Sequence, residues 1–395
     1  MFDFFDELLN KVDLEEGMEG IRQILLHVYR NGSISVKKLA RLTQIPVPIV
    51  AKIVNILSEQ ELLNRSPNGV QYWEHGMKFV EKQFGFFGFG NQKCPKCKSR
   101  SIFISPRYDE IFEILNPIFQ NRPSVETTLD QSKNTVETAI QRAGYFYEKG
   151  ALEGNHVLFI GDDDFTSISV GLLSKIFFPN EHITLIPKSL TVIDIDTRIL
   201  DEIKAIFAQF NIPVECIQYD LRNPVPSELL HRFDTIITDP PYSQNGLSLF
   251  LSRAISFMKK EPNKDIFLSF AHRSPDQTLV MQSILTQLGL ATLEILPRFN
   301  KYEGSEILGN ETQLLHLKTT RTTKDIVKPD QQYTTPIYTG ETHPYIRHFQ
   351  CTSCNKVIEV GPDKEFQTIE LLKGNSCPHC GEVKFKLIER ILAIE

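Results

Sequence analysis

The sequence predicts an α/β fold built on a mostly parallel sheet. Between about residues 125 and 325, apolar runs of strand length alternate with helical patterns, and acidic residues recur at the ends of the runs. Strands and helices taking turns imply right-handed crossovers between parallel strands, with ligands at the carboxyl ends of those strands. The 395 residues are 41% hydrophobic and 23% charged, ordinary for a globular chain of more than one domain. Composition and periodicity divide it into residues 1–90, a linker at 91–124, the α/β region at 125–325 and a C-terminal segment at 326–395. No apolar run is long enough to span a membrane, and the acidic N-terminus is unlike a signal or transit peptide, so a cytoplasmic protein is expected.

The first segment reads as helix, helix-turn-helix and hairpin. "EGMEGIRQILLHVYRNG" has helical spacing and stops at Asn31-Gly32; two more helices are broken at Pro46 and Pro48; "LNRSPNGVQYWE" contains a turn. This order predicts a winged helix. Its second helix, "VPIVAKIVNILSEQ", carries one lysine among apolar residues, which suits packing or dimerisation better than reading DNA. A formal charge of -6 points the same way and makes nucleic acid an unlikely partner.

Six of the seven cysteines form Cys-x-x-Cys pairs. Cys351 and Cys354, with Cys377 and Cys380, give four thiolates separated by 22 residues, the pattern of a zinc ribbon with a closed, structural site. Cys94 and Cys97 form a loose third pair able to join either of the others. Cys216, alone in an apolar run, is expected simply to pack.

In the α/β region "GDDD" (Gly161, Asp162, Asp163, Asp164) follows the first strand. Asp194 and Asp196 end the second, Asp220 ends the third, and "DPPY" (Asp239, Pro240, Pro241, Tyr242) ends the fourth. An acid after the second strand suits a ribose, because carboxylate oxygens accept from vicinal hydroxyls; the acid after the third suits an adenine amino group. A first loop rich in glycine would present amides to an anion, whereas three carboxylates reverse the local sign. A ligand carboxylate would be repelled there by several kcal/mol. The pocket therefore favours cations.

The layout resembles the class I S-adenosylmethionine-dependent, Rossmann-like fold shared by methyltransferases and aminopropyltransferases. "GDDDFTS", "DPPYS", the preceding winged helix and the paired cysteines together resemble the branched-chain polyamine synthases, the N(4)-bis(aminopropyl)spermidine synthase family. The resemblance spans about residues 15 to 320. It implies transfer of aminopropyl groups from decarboxylated S-adenosylmethionine, as co-substrate, to the central secondary amine of spermidine or a related polyamine, and a homodimer. Carried over, Gly161, Asp162 and Pro240 face the donor beside the strand-end acids Asp194, Asp196 and Asp220, Pro241 helps hold the acceptor, and Asp239 and Tyr242 act at the amine. One aspartate of "GDDD" takes the acceptor's proton, Asp164 first and Asp163 second. Acids grouped in this way raise at least one pKa and make a better base.

"RFNKYEGSEILGNE" (298–311) reads as an acidic lid, with Glu303 and Glu306 toward the polyamine's ammonium groups; Tyr302 within it is read as packing. His272 and Arg273 are read as structural. Two other functions fit some of the motifs. One is an amino-group methyltransferase acting on DNA, RNA or protein, favoured by "DPPY" but opposed by the acidic loop. The other is a winged-helix regulator that senses a small ligand.

Overall fold

The structure is a computed structural model that describes residues 2–12, 14, 16–43, 45, 47–86, 107–177, 187–303, 311–339, 345–361, 364–366 and 369–392. The chain begins with four helices, α1 (Phe2–Val12), α2 (Gly17–Asn31), α3 (Val36–Thr43) and α4 (Val47–Glu59). A hairpin of β1 (Leu63–Ser66) and β2 (Gly69–Tyr72) follows, and then α5 (Glu74–Phe84). Helix α2 stops at Asn31 because Gly32 takes a φ of 69°, which glycine adopts without penalty. At the hairpin turn Gly69 has φ 126°, and a Cβ there would lie 2.8 Å from the Ile34 carbonyl oxygen. That close approach lets Ile34 bridge to Val70 beside the hairpin. One apolar cluster, including Ile21, Leu25, Val50, Ile53 and Leu57, holds these elements together.

The α/β region carries the strands at the apolar runs of the sequence. They are β3 (His156–Ile160), β4 (Ser189–Asp194), β5 (Glu215–Gln218), β6 (Thr235–Thr238), β7 (Asp265–Ala271), β8 (Leu290–Lys301) and β9 (Glu311–Thr319). Their order is β5-β4-β3-β6-β7-β9-β8, and only β9 runs against its neighbours. Helices α6 (Arg107–Gln120), α7 (Val136–Glu148), α8 (Thr166–Phe177) and α9 (Thr197–Gln209) share one apolar cluster with alternate strand residues Val157, Phe159, Val192, Ile237 and Phe267. Leu158, Ile160, Ile193, Ile236 and Ile266, with the opposite parity, are buried as well. Burial on both faces is why these strands read as continuous apolar runs rather than alternating ones. Helices α10 (Gln244–Phe257) and α11 (Pro275–Gln287) complete the crossovers.

The strand order reverses at β3, so the switch point lies between the carboxyl ends of β3 and β6, where this kind of sheet opens a crevice. Register aligns those ends: Ile160 pairs with both Ile193 and Thr238, and Asp194 pairs with Gln218. The acidic segments that follow therefore emerge along one edge.

The chain divides into two compact units. One comprises residues 1–124, 133–240 and 248–333; the other comprises 125–132, 241–247 and 334–395. The N-terminal helices thus share a unit with the large sheet. Arg22 donates to the carbonyls of Gly150 and Glu153 at 2.8 and 2.7 Å, and Arg30 to that of Glu148 at 2.9 Å. The second unit contains a three-stranded antiparallel sheet, β10 (Tyr345–Cys351), β11 (Val357–Val360) and β12 (Phe385–Leu392), in the order β11-β10-β12, with a short helix α12 (Ile369–Asn375). Among the described residues no helix is long and apolar enough to cross a membrane.

Candidate active site

The loop after β3 is shaped by two left-handed residues. Gly161 has φ 70° and donates its N–H to Ile193 at 2.9 Å; Phe165, fully buried, has φ 56°. A non-glycine residue in that region costs of order 1 kcal/mol or more and persists where its surroundings enforce it. Between them the Phe165 amide closes a turn on the Asp162 carbonyl at 3.0 Å.

Two of the three aspartates cap the next helix. Asp162 accepts from the Ser167 amide at 3.2 Å, and Asp164 accepts from the Thr166 amide at 3.2 Å and its hydroxyl at 2.8 Å. Free N–H groups and the positive end of the dipole make the start of α8 a favourable place for carboxylates. Burial pushes the Asp162 pKa well up, and the neighbouring Asp164 adds to the rise. Asp163 is half-buried.

Beneath the loop lies a guanidinium that sequence reasoning missed. Arg142, 1% exposed, projects from α7 and donates to Asn300 Oδ1 at 2.8 Å, Thr166 Oγ1 at 3.2 Å and the Tyr302 hydroxyl at 2.8 Å. It also forms ion pairs with Asp164 and, at 3.2 Å, with Asp239. The Tyr302 hydroxyl in turn donates to Asp239, and burial, reinforced by that anion, pushes its pKa far up, so it stays a donor. A second buried guanidinium, Arg122, donates to the Asp164 carbonyl at 3.4 Å and to Asn134 Oδ1 at 3.1 Å; Glu303 lies 3.5 Å from it. Burial lowers the Arg122 pKa, against the pull of Glu303 and all three loop aspartates. The acids are therefore partly neutralised from below, and Asp164 has both oxygens engaged.

Asp194 stands at the end of β4 with its oxygens on the amides of Asp162 (3.1 Å) and Asp196 (2.8 Å), and burial pushes its pKa up to about 6. Asp196 caps α9 and holds Arg198 at 2.6 Å; Asp220, after β5, grips Arg222 at 2.8 Å. Pro240, buried, follows Asp239; Pro241 and Tyr242 fall in the second compact unit. Glu303 is exposed, whereas Glu306, Cys94 and Cys97 lie outside the described residues. His272 accepts from the Arg298 amide at 3.2 Å.

In the second unit Cys351, Cys354, Cys377 and Cys380 bring their sulfurs within 4.8 Å of one another. Cys351 and Cys380 are 3.5 Å apart, Cys354 and Cys377 3.7 Å, and all four are free thiols. Tetrahedral thiolates on zinc would stand about 3.8 Å apart, from Zn–S near 2.3 Å. The donor set and spacing fit a closed four-thiolate zinc site.

Comparison with known proteins agrees with this architecture. The sequence model of the branched-chain polyamine synthase A C-terminal domain matches residues 110–355. A protein of Methanocaldococcus jannaschii described as uncharacterized is 37% identical over 390 residues, 98% of this chain and 94% of that one. The N(4)-bis(aminopropyl)spermidine synthase of the same organism is 33% identical over 268 residues, 67% of this chain and 73% of that one. Among solved structures, the branched-chain polyamine synthase from Thermus thermophilus, in complex with N4-aminopropylspermidine and 5'-methylthioadenosine, superposes with a TM-score of 0.52 at 21% identity. The match covers 85% of this chain and 95% of that one. With the family domain matched over most of the α/β region and a named synthase at this identity, the chain belongs to the branched-chain polyamine synthase family.

Proposed function

We propose that this protein transfers aminopropyl groups from decarboxylated S-adenosylmethionine to the central secondary amine of spermidine, giving branched polyamines. The observation that carries this reading is the acidic switch point, where the "GDDD" loop and Asp239 stand at adjacent strand ends in a chain of this family. The donor ends in an ammonium group and the acceptor is a polycation, so both suit a crevice whose loops carry more carboxylates than guanidiniums. Asp194, Asp196 and Asp220 take the hydroxyls and amino group of the adenosyl part; Gly161 and Asp162 border it. Asp239 holds the acceptor amine, Pro240 beside it faces the donor, and Glu303 attracts an outer ammonium group.

The chemistry asks the chain for one proton transfer and for alignment. The protonated secondary amine gives its proton to a carboxylate, and its lone pair attacks the donor's propyl CH2 attached to sulfur. The C–N bond forms as the C–S bond breaks, and 5'-methylthioadenosine leaves with the bonding pair. A second round on the resulting tertiary amine gives a quaternary ammonium. Asp163, half-buried where Asp162 and Asp164 are buried, is our choice for the proton acceptor.

The test is one incubation in two arms, read by mass spectrometry. Protein with decarboxylated S-adenosylmethionine and spermidine should yield spermidine heavier by one or two aminopropyl units. Protein with S-adenosylmethionine and nucleic acid should yield nothing. Methylated nucleic acid with spermidine untouched would replace this reading by the methyltransferase one. Methanocaldococcus jannaschii holds both the 37% relative, described as uncharacterized, and a named synthase. The first arm accordingly includes a series of linear polyamines.

The four cysteines would hold a zinc ion whose contribution is structural. Among the described residues the buried apolar cluster of this unit, Phe349, Val360, Phe366 and Leu372, is small, and a small module gains from such a staple. Elemental analysis should find one zinc per chain, lost in Cys377→Ser together with the protease resistance of residues 345–392. A metal-free native protein with the same resistance would rule the site out. To the same proposal belong a cytoplasmic homodimer, checked by light scattering, and a winged-helix reading of the N-terminal elements as a packing module.

A further inference from the structure

We infer that Arg142 is a positioning residue that locks the loop after β3 to the end of β6, fixing the proton-accepting and amine-holding carboxylates in one reacting arrangement. The inference rests on the aminopropyl-transfer reading. Its observation is the distribution of the guanidinium's bonds. One edge reaches Asp164 and Thr166, at the start of α8; the other reaches Asp239, after β6, and Tyr302, just beyond β8; the Nε–H holds Asn300 within β8. These groups come from three separate stretches of chain, and the two carboxylates belong to the two motifs that flank the switch point.

A planar fork is suited to this task. Its donors leave at fixed angles, so the separation of Asp164 and Asp239 is set by a rigid group, whereas a lysine would offer one flexible point charge. Burial keeps water from competing, and the Tyr302 hydroxyl, accepting from Arg142 and donating to Asp239, closes the bridge on its second side.

Another buried arginine shows what a merely structural role looks like in the same fold. Arg253, 0% exposed, spends its donors on main-chain carbonyls, those of Leu221 at 2.8 Å, Lys328 at 2.7 Å and Gln331 at 2.6 Å. It ties down a connecting segment and touches no motif. Arg142 instead binds side-chain carboxylates of both motifs. A fold that needed only a filler at this point could have used main-chain acceptors.

The experiment compares Arg142→Lys with Arg253→Lys in the full chain. Donor binding is followed by calorimetry with decarboxylated S-adenosylmethionine, and turnover with spermidine by mass spectrometry. Arg142→Lys should lower kcat about 100-fold, the scale of an ångström-sized misplacement of reacting groups, while donor affinity and the KM for spermidine stay within about threefold, as expected when only the transition-state arrangement suffers. Arg253→Lys should lower the thermal midpoint with kcat per folded molecule retained. If Arg142→Lys fails to fold, Tyr302→Phe replaces it, removing one hydroxyl of the same bridge and leaving the ring; kcat should then fall about tenfold at an unchanged KM. A folded Arg142→Lys within threefold of wild-type kcat, or a Tyr302→Phe with full kcat, overturns the inference alone. A wild-type protein that transfers no aminopropyl group overturns the functional reading and the inference with it.

Discussion

Replacing Asp163 by asparagine lowers aminopropyl transfer by about 10²- to 10⁴-fold, the usual worth of a positioned general base. The amide keeps the size and some of the hydrogen bonding of the carboxylate but cannot take a proton from an ammonium group. Asp164→Asn gives a different signature. Its oxygens cap α8 and pair with Arg142, so the asparagine leaves a 1%-exposed guanidinium with less counter-charge and lowers stability as well as turnover. Reading both variants for donor affinity, thermal midpoint and turnover separates the roles. A fully active Asp163→Asn would return the proton-accepting role to Asp164, provided that Asp164→Asn folds, binds donor and is dead.

The comparison of Asp163 with Asp164 also marks where sequence reading reaches its limit. The strands were legible because burial on both faces leaves apolar runs such as "HVLFI" and "DIFLSFA" with nothing polar inside them, and the acids were legible because they interrupt the runs at the same end. The four cysteines were legible because their two Cys-x-x-Cys pairs stand at the spacing of a four-thiolate cluster. Local order, however, carries no trace of what lies beneath a loop. Arg142 meets Asp164 across 22 residues of sequence, Asp239 across 97 and Tyr302 across 160. One signal was present: at helical spacing Arg142 shares a stripe with Ala139, Ala143 and Phe146, all buried, and a charge on an apolar stripe asks for a buried partner. Tyr302, read as packing, was the same kind of case. Its ring is buried, and its hydroxyl does the binding. The place of β9, antiparallel between β7 and β8, depends on connection geometry that neither strand's composition records.

The same logic gives the largest stability effect expected in the molecule. Arg30 of α2 and Glu153, which follows α7, form an ion pair whose side chains are 4% and 0% exposed, with the Arg30 guanidinium lying 4.2 Å from the centre of the Tyr147 ring. Removing either charge alone strands the other in a medium that solvates it poorly, at a cost of about 3–5 kcal/mol, whereas replacing both with apolar groups of similar volume is often neutral or better. Glu153→Leu should therefore lower the urea-unfolding free energy by about 3–5 kcal/mol, and Arg30→Met/Glu153→Leu should recover most of it. Recovery will fall short of complete, because Arg30 also donates to the carbonyls of Tyr147 and Glu148 at the end of α7, bonds that methionine cannot make. The catalytic loop is not part of this joint, so turnover per folded molecule should hold in both variants. A Glu153→Leu protein within about 1 kcal/mol of wild type would mean that water or relaxation reaches the pair. The attachment of the N-terminal helices to the large sheet would then rest on the Arg22 bonds to Gly150 and Glu153 and on apolar packing instead.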